Sequence, residues 1–437
     1  MVRGLLVFGL AAGQLAVLAA LGITAPAPGS KEKAASISVT GKGDPNLTPF
    51  DDLMIDFLKR HKVPGAALAV SKDSRLVYAR GFGLADVEAG QAVQPNSLMR
   101  IASVSKPITA LAILLLIQQG KLKLDDHVFA ILKIQPFLPP GARVDPRLKD
   151  TTVRHLLQHT GGFDRDKSGD PMFMSVEIAT ALKVQPPATA DQILSYMMGK
   201  PLDFTPGKDY IYSNYGYCVL GRLIEKVSGQ SYEDYVRQAV LTPLGMKHTR
   251  VGKTLLAQRA PGEVKYYDKH KGIAVVGPDL GKKAPSPYGA WYIEAMDAHG
   301  GWIASAPDLL RFACSFDKTA PQRLLKPANI NLMFARPKGP AGYDAKGKPR
   351  EGYYGLGWDI VPDGKKGEFN TWHTGLLDDT ASLLVRRHDG LNWAVLFNAS
   401  NNPKGRYLAD IIDPLVHQAA DQVKTWPAYN LFGKRGL

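Results

Sequence analysis

Strand-like segments occupy both ends of this chain and helical ones occupy its middle. Near the start, 66–70 and 76–79 are apolar runs joined through Ser71-Lys72-Asp73-Ser74-Arg75, a hairpin signal. Near the end, 354–360, 380–387 and 392–397 read as strands, the last two joined through the turn His388-Asp389-Gly390. Apolar residues fall at helical spacing over 49–60, 104–119, 151–158, 189–198, 215–228 and 231–240, and a closing helix spans 406–423. Proline-rich breaks at 136–146 and 184–188 and a Gly/Pro/Lys-rich loop at 261–288 separate them. One antiparallel sheet built from both ends must carry the helical stretch as an insertion. The expected fold is α/β: an antiparallel sheet flanked by helices, over 49–425, with an all-helical lobe inserted at about 120–300 and a tail at 426–437.

The most apolar helix opens with Ser103-Val104-Ser105-Lys106. Positions i and i+3 share a helix face, so the Ser103 hydroxyl and the Lys106 amine can meet. A serine hydroxyl is a weak nucleophile, and an amine held neutral by burial can take its proton. Ser105 is adjacent to Lys106 and points elsewhere. By itself the spacing is common, and a solvated first helical turn explains it equally well.

Two further motifs follow in order. Tyr212-Ser213-Asn214 comes after Thr205-Pro206-Gly207, and His373-Thr374-Gly375 comes just before a strand-like run. With S-x-x-K, Y-x-N and H-T-G in this order, the chain resembles the serine β-lactamase and penicillin-binding-protein superfamily. It looks closest to the branch of class C β-lactamases, DD-peptidases and related serine esterases. Val63-Pro64-Gly65-Ala66-Ala67-Leu68-Ala69-Val70 looks like that branch's first strand, and Leu156-Leu157-Gln158-His159-Thr160-Gly161-Gly162 like its helix-ending turn. The stretches 220–229 and 300–309 fit as well, and the likeness covers roughly 45–425.

The resemblance implies an α/β sandwich and a helical lobe with the site between them, and a covalent acyl-enzyme formed without metal or organic cofactor. It implies Ser103 as nucleophile, Lys106 as the group sharing its proton, and Tyr212 as a second base. A phenol near cations can have a lowered pKa, which would suit that role. Asn214, His373, Thr374 and Gly375 would contact substrate. The backbone N–H groups of Ser103 and Leu376 would form the oxyanion hole. Gly375 would let substrate lie close to the strand backbone. A buried aromatic is the plainer explanation of Tyr212, and a turn residue that of Asn214; the motif context favours chemistry.

H-T-G occurs twice. His159-Thr160-Gly161 ends a helical pattern, where a glycine is a stop signal, so that copy is expected to be structural. His155 and His159 are four apart, but Leu156 stands where a zinc-binding H-E-x-x-H has its glutamate, so no metal is expected. The third motif starts with His373 rather than lysine. A histidine is only partly charged at neutral pH, and Asp378 and Asp379 follow closely. This disfavours anionic β-lactams and favours esters or D-amino-acid peptides and amides, and His373 is expected to set the preference for substrate charge. No G-x-S-x-G elbow supports an α/β-hydrolase. A slowly deacylating receptor of the cell envelope is the alternative.

Of 437 residues, 45% are apolar and 22% charged, as in ordinary globular proteins. The formal net charge is +14, but the basic residues are scattered and no nucleic-acid motif appears. The expected partner is a small-molecule or peptide ester or amide, cell-wall material being one source. Two cysteines, Cys218 and Cys314, lie in apolar helical runs, and sequence does not decide whether they pair. Arg3 and the apolar run 4–25 read as an export segment (residues 1–27), followed by a linker at 28–48. The expected location is periplasmic or extracellular, with cleavage and membrane anchoring both open.

Overall fold

Asp73 and Ser74 both take positive φ, 50° and 62°, closing a two-residue turn between the antiparallel strands Gly65–Lys72 and Arg75–Asp86. Such a turn matches the strands' twist. These elements belong to a computed structural model describing residues 36–363, 367–378 and 380–433. The proposed export segment, the linker up to residue 35 and Asp379 lie outside the described residues.

The main sheet runs, in spatial order, Val39–Thr40, Arg75–Asp86, Gly65–Lys72, Leu391–Phe397, Thr380–Arg386, Phe369–Leu377, Asp359–Pro362 and Tyr353–Tyr354. Every neighbouring pair is antiparallel. Leu391–Phe397 pairs with Gly65–Lys72, so strands from the two ends of the chain adjoin at the sheet's centre. The expected α/β architecture, an antiparallel sheet with helices, is the one observed. No helix among the described residues is long and apolar enough to cross a membrane.

Alternation within the central strands gives the sheet two apolar faces. Val395 and Phe397 lie in one core, with Phe57 of the helix Thr48–His61 and Ile412 of the helix Leu408–Gln422. Ala394 and Leu396 lie in the other, with the helix Ser105–Gln118 and Leu309 and Leu310 of the helix Ala306–Cys314. Residues 105–116 are buried all around the helix, which makes it a central core helix rather than an amphipathic one.

Two boundaries differ from the sequence expectation. The single strand expected at 354–360 is two short ones joined through Gly355-Leu356-Gly357-Trp358. A Cβ at Gly357 would stand 2.6 Å from the Ala110 Cβ, so the chain turns there against the central helix. H-T-G does not precede a strand but lies inside one, Phe369–Leu377. The two cysteine thiols are free and buried.

Candidate active site

The site begins where a strand meets the central helix. Ala102 adopts φ +44°, a left-handed conformation uncommon for a residue with a side chain, and a 3-10 turn over Ala102–Val104 leads into the helix. This kink sets Ser103 at the helix entrance. Ser105 faces elsewhere: it is buried and its hydroxyl donates to the Ala102 carbonyl at 2.6 Å.

Lys106 is fully buried. Its Nζ lies 2.9 Å from Ser103 Oγ, 2.8 Å from Asn214 Oδ1 and 3.0 Å from the His299 carbonyl. Two of these partners can only accept. A neutral amine has two hydrogens to give, which Asn214 and His299 would take. Its lone pair is then left for the Ser103 hydroxyl proton. Burial holds the Lys106 pKa well below the ordinary lysine value; the Asp170 carboxylate opposes this and the Arg165 guanidinium adds to it.

Asn214 is the first residue of the helix Asn214–Ser228, which Ser213 caps by accepting from the Gly216 N–H. Its amide nitrogen donates to Asp170 Oδ2 at 2.7 Å. The other oxygen of Asp170 accepts from the Met172 N–H at 3.1 Å, capping the turn Pro171–Phe173. Burial raises the Asp170 pKa, its hydrogen bonds partly offsetting this. Sequence reasoning did not find Asp170; Asp-Pro at a turn start is too common to signal a site.

The Tyr212 ring lies beneath Lys106 Nζ, 4.7 Å from its centroid. Contrary to the expected lowering, its pKa is raised: burial dominates, and a hydrogen bond with Ser103 only partly offsets it. Tyr212 thus rests as a protonated phenol.

His373 departs furthest from expectation. It is 2% exposed, with Nδ1 2.7 Å from the Thr374 carbonyl and Nε2 3.0 Å from the Tyr354 hydroxyl. Nδ1 therefore carries the proton, and Nε2 accepts from Tyr354. Burial, with Lys106 nearby, lowers its pKa to about 3. The ring is neutral, not partly charged, and both nitrogens are already engaged.

Gly375 has a physical reason within the protein itself. A Cβ there would stand 2.2 Å from the Ile101 carbonyl and 2.3 Å from Ser382 Oγ. The close approach is by the backbone that carries Ser103. Thr374 is half-buried and Leu376 is 37% exposed. Pairing with Asp359–Pro362 stops at Trp372, so among the described residues His373–Leu377 has a strand neighbour only on its Thr380–Arg386 side. That leaves an edge along which an extended substrate could lie.

The other H-T-G copy ends a helix, with His159 at φ +57°. Even so, it supports the site. His159 Nδ1 accepts from the Ser213 N–H at 3.1 Å, its carbonyl accepts from Ile211 at 3.0 Å, and its ring lies 4.3 Å from that of Tyr212. His155 Nδ1 accepts from the Thr152 N–H in a capping box. The two histidines serve separate backbone contacts. The one three-residue group of metal-ligand types among the described residues is Asp363, Glu368 and His388, which shares no residue with this site.

This arrangement on this fold defines a class, the β-lactamase-fold serine hydrolases. The family model described as Beta-lactamase matches residues 50–416, and the chain belongs to that family. It is 27% identical over 344 residues to "Penicillin-binding protein 4*" of Bacillus subtilis, covering 76% of this chain and 67% of the relative. To "Esterase EstB" of Burkholderia gladioli it is 34% identical over 193 residues, 44% of this chain and 47% of the esterase. The octameric penicillin-binding protein homologue of Pyrococcus abyssi has a similar structure, with TM-score 0.62 and 26% identity over 86% of this chain and 78% of that one. The chain spans about two thirds or less of the length of these curated relatives.

Proposed function

We propose that the protein hydrolyses an ester, or a D-amino-acid peptide or amide, through an acyl-enzyme on Ser103. One observation carries this reading: the buried Lys106 amine lies 2.9 Å from Ser103 Oγ with its pKa held down by burial. Ser103 Oγ attacks the substrate carbonyl carbon while its proton passes to Lys106. The oxygen that becomes negative is received by the N–H groups of Ser103 and Leu376. Tyr212 passes a proton to the leaving alkoxide or amine. Water then attacks the acyl-enzyme by the reverse proton path, releasing the acid and restoring Ser103. Asn214 holds the Lys106 amine, Thr374 and Gly375 border the substrate edge, and no metal or organic cofactor takes part. A relative named an esterase and relatives named penicillin-binding proteins support acyl transfer. The apolar run 4–25 supports an exported enzyme acting on small or cell-wall-derived substrates.

Turnover of a chromogenic short-chain ester, measured beside a chromogenic β-lactam, tests the reading. Steady ester turnover that Ser103→Ala abolishes is expected. A stoichiometric burst with no turnover would make the protein an acyl-trapping receptor, and turnover surviving in Ser103→Ala would remove the mechanism.

A further inference from the structure

The family resemblance leads one to look to the third-motif strand for a cation, but this chain has none to offer from that position. His373 is neutral, with both nitrogens engaged inside the protein. Lys106 is buried and occupied with Ser103, Asn214 and His299. A different cation stands at the site. Arg165 opens the short helix Arg165–Ser168, soon after the turn that carries His159. Its Cζ lies 5.3 Å from the centroid of the Tyr212 ring, the ring that Lys106 Nζ also approaches. The residue itself is exposed.

Arg165 makes no hydrogen bond or ion pair with the described residues. Three acids near it, Asp164, Asp203 and Asp170, have other work. The Asp164 side chain caps its own helix through the Asp166 N–H, at 2.9 Å. Asp203 accepts from the Asp164 N–H at 2.9 Å and lies 3.8 Å from Lys167. The Asp170 oxygens are held by Asn214 and Met172. Yet the Arg165 charge reaches the reacting groups: it opposes protonation of Lys106 and His159 and favours ionisation of Asp170 and Tyr212. A guanidinium resting on an aromatic face keeps its planar edge of N–H donors available for a carboxylate. Holding a cation near the buried Lys106 amine gains the resting protein little. It gains more when an anion completes the site.

We infer that Arg165 is the substrate-charge selector: its guanidinium receives a carboxylate carried by the substrate within a few bonds of the carbonyl that Ser103 attacks. The inference rests on the acyl-transfer function proposed above. It also reverses the preference read from the third motif, since the cation comes from the helical side of the site and not from the strand. The substrate class is then an ester or amide with a nearby free carboxylate.

The test compares a matched pair of chromogenic esters, mono-4-nitrophenyl glutarate and 4-nitrophenyl valerate, which differ in a terminal carboxylate. The readout is the ratio of kcat/KM, anionic to neutral, at low salt. In Arg165→Gln this ratio should fall about three- to tenfold, between the effects of an exposed ion pair and of a charge-assisted hydrogen bond. Arg165→Lys should retain part of it, since the charge stays and the planar fork is lost. Added salt should lower the ratio in the wild type and leave it nearly constant in Arg165→Gln. A ratio unchanged in Arg165→Gln would overturn the inference. So would an equal loss on both esters, which would mean that Arg165 acts only by supporting Tyr212. Ser103→Ala, run in parallel, separates the two readings: turnover that survives there refutes the acyl-enzyme reading, whatever the ratio does in the Arg165 variants.

Discussion

Asn214 stands between Lys106 and Asp170, accepting from the Lys106 amine at 2.8 Å and donating to the Asp170 carboxylate at 2.7 Å. The buried amine and buried acid thus interact through a neutral amide and make no direct ion pair. A direct pair would hold Lys106 as a protonated ammonium, and it could not then take a proton from Ser103.

The pH dependence follows from this link. The acylating form needs neutral Lys106, so kcat/KM should rise with pH through the Lys106 pKa, which burial has lowered. The Asp170 charge raises that pKa. Asp170→Asn removes the charge, leaves the amine easier to deprotonate, and should move the acid limb to lower pH. The pH profile of kcat/KM for a neutral ester reads the shift; a limb moved to higher pH would mean that Asp170 acts by some other route.

Lys106 and Tyr212 should behave as one proton-transfer unit. Lys106→Ala and Tyr212→Phe should each cut kcat by about a hundredfold or more, the usual scale for acid–base groups. The double variant should be little worse than the poorer single one, as for residues acting together. Losses that add in free energy would show two independent roles.

His373→Lys should cost stability rather than shift specificity. The imidazole is buried and neutral, bonded to Tyr354 and to Thr374. A lysine there would place an ammonium in the buried space beside the Lys106 amine, where the imidazole carries no charge. The expected loss is about 3–5 kcal/mol, typical of an uncompensated buried charge, measured by urea denaturation. A variant of undiminished stability that acylates faster with a carboxylate-bearing β-lactam would show that the strand can hold a cation after all.

The parts of the site with local sequence signals were the legible ones. Spacing alone placed Ser103 and Lys106 on one face, and motif order brought in Tyr212, Asn214 and the 373–375 stretch. The sheet followed from apolar runs at both ends and from two turn signals. What stayed hidden depends on burial and long-range packing. Nothing local says that Tyr212 and His373 are enclosed, so neither the lowered phenol pKa nor the partly charged imidazole expected from the sequence is found. Gly375 signals a close approach, but nothing local shows that the Ile101 carbonyl, from 274 positions earlier in the chain, makes one there. Arg165 opens a one-turn helix and Asp170 caps a 3-10 turn, neither with a periodic signal in the sequence, and both join the site through tertiary contacts to Tyr212 and Asn214.

The central claim is that Ser103 is the group acylated. A fluorophosphonate probe, followed by peptide mass spectrometry, addresses it directly. The wild-type protein should take up a single label on Ser103, Lys106→Ala should label far more slowly, and Ser103→Ala should not label at all. A label on Ser105, or one that persists in Ser103→Ala, would contradict the account.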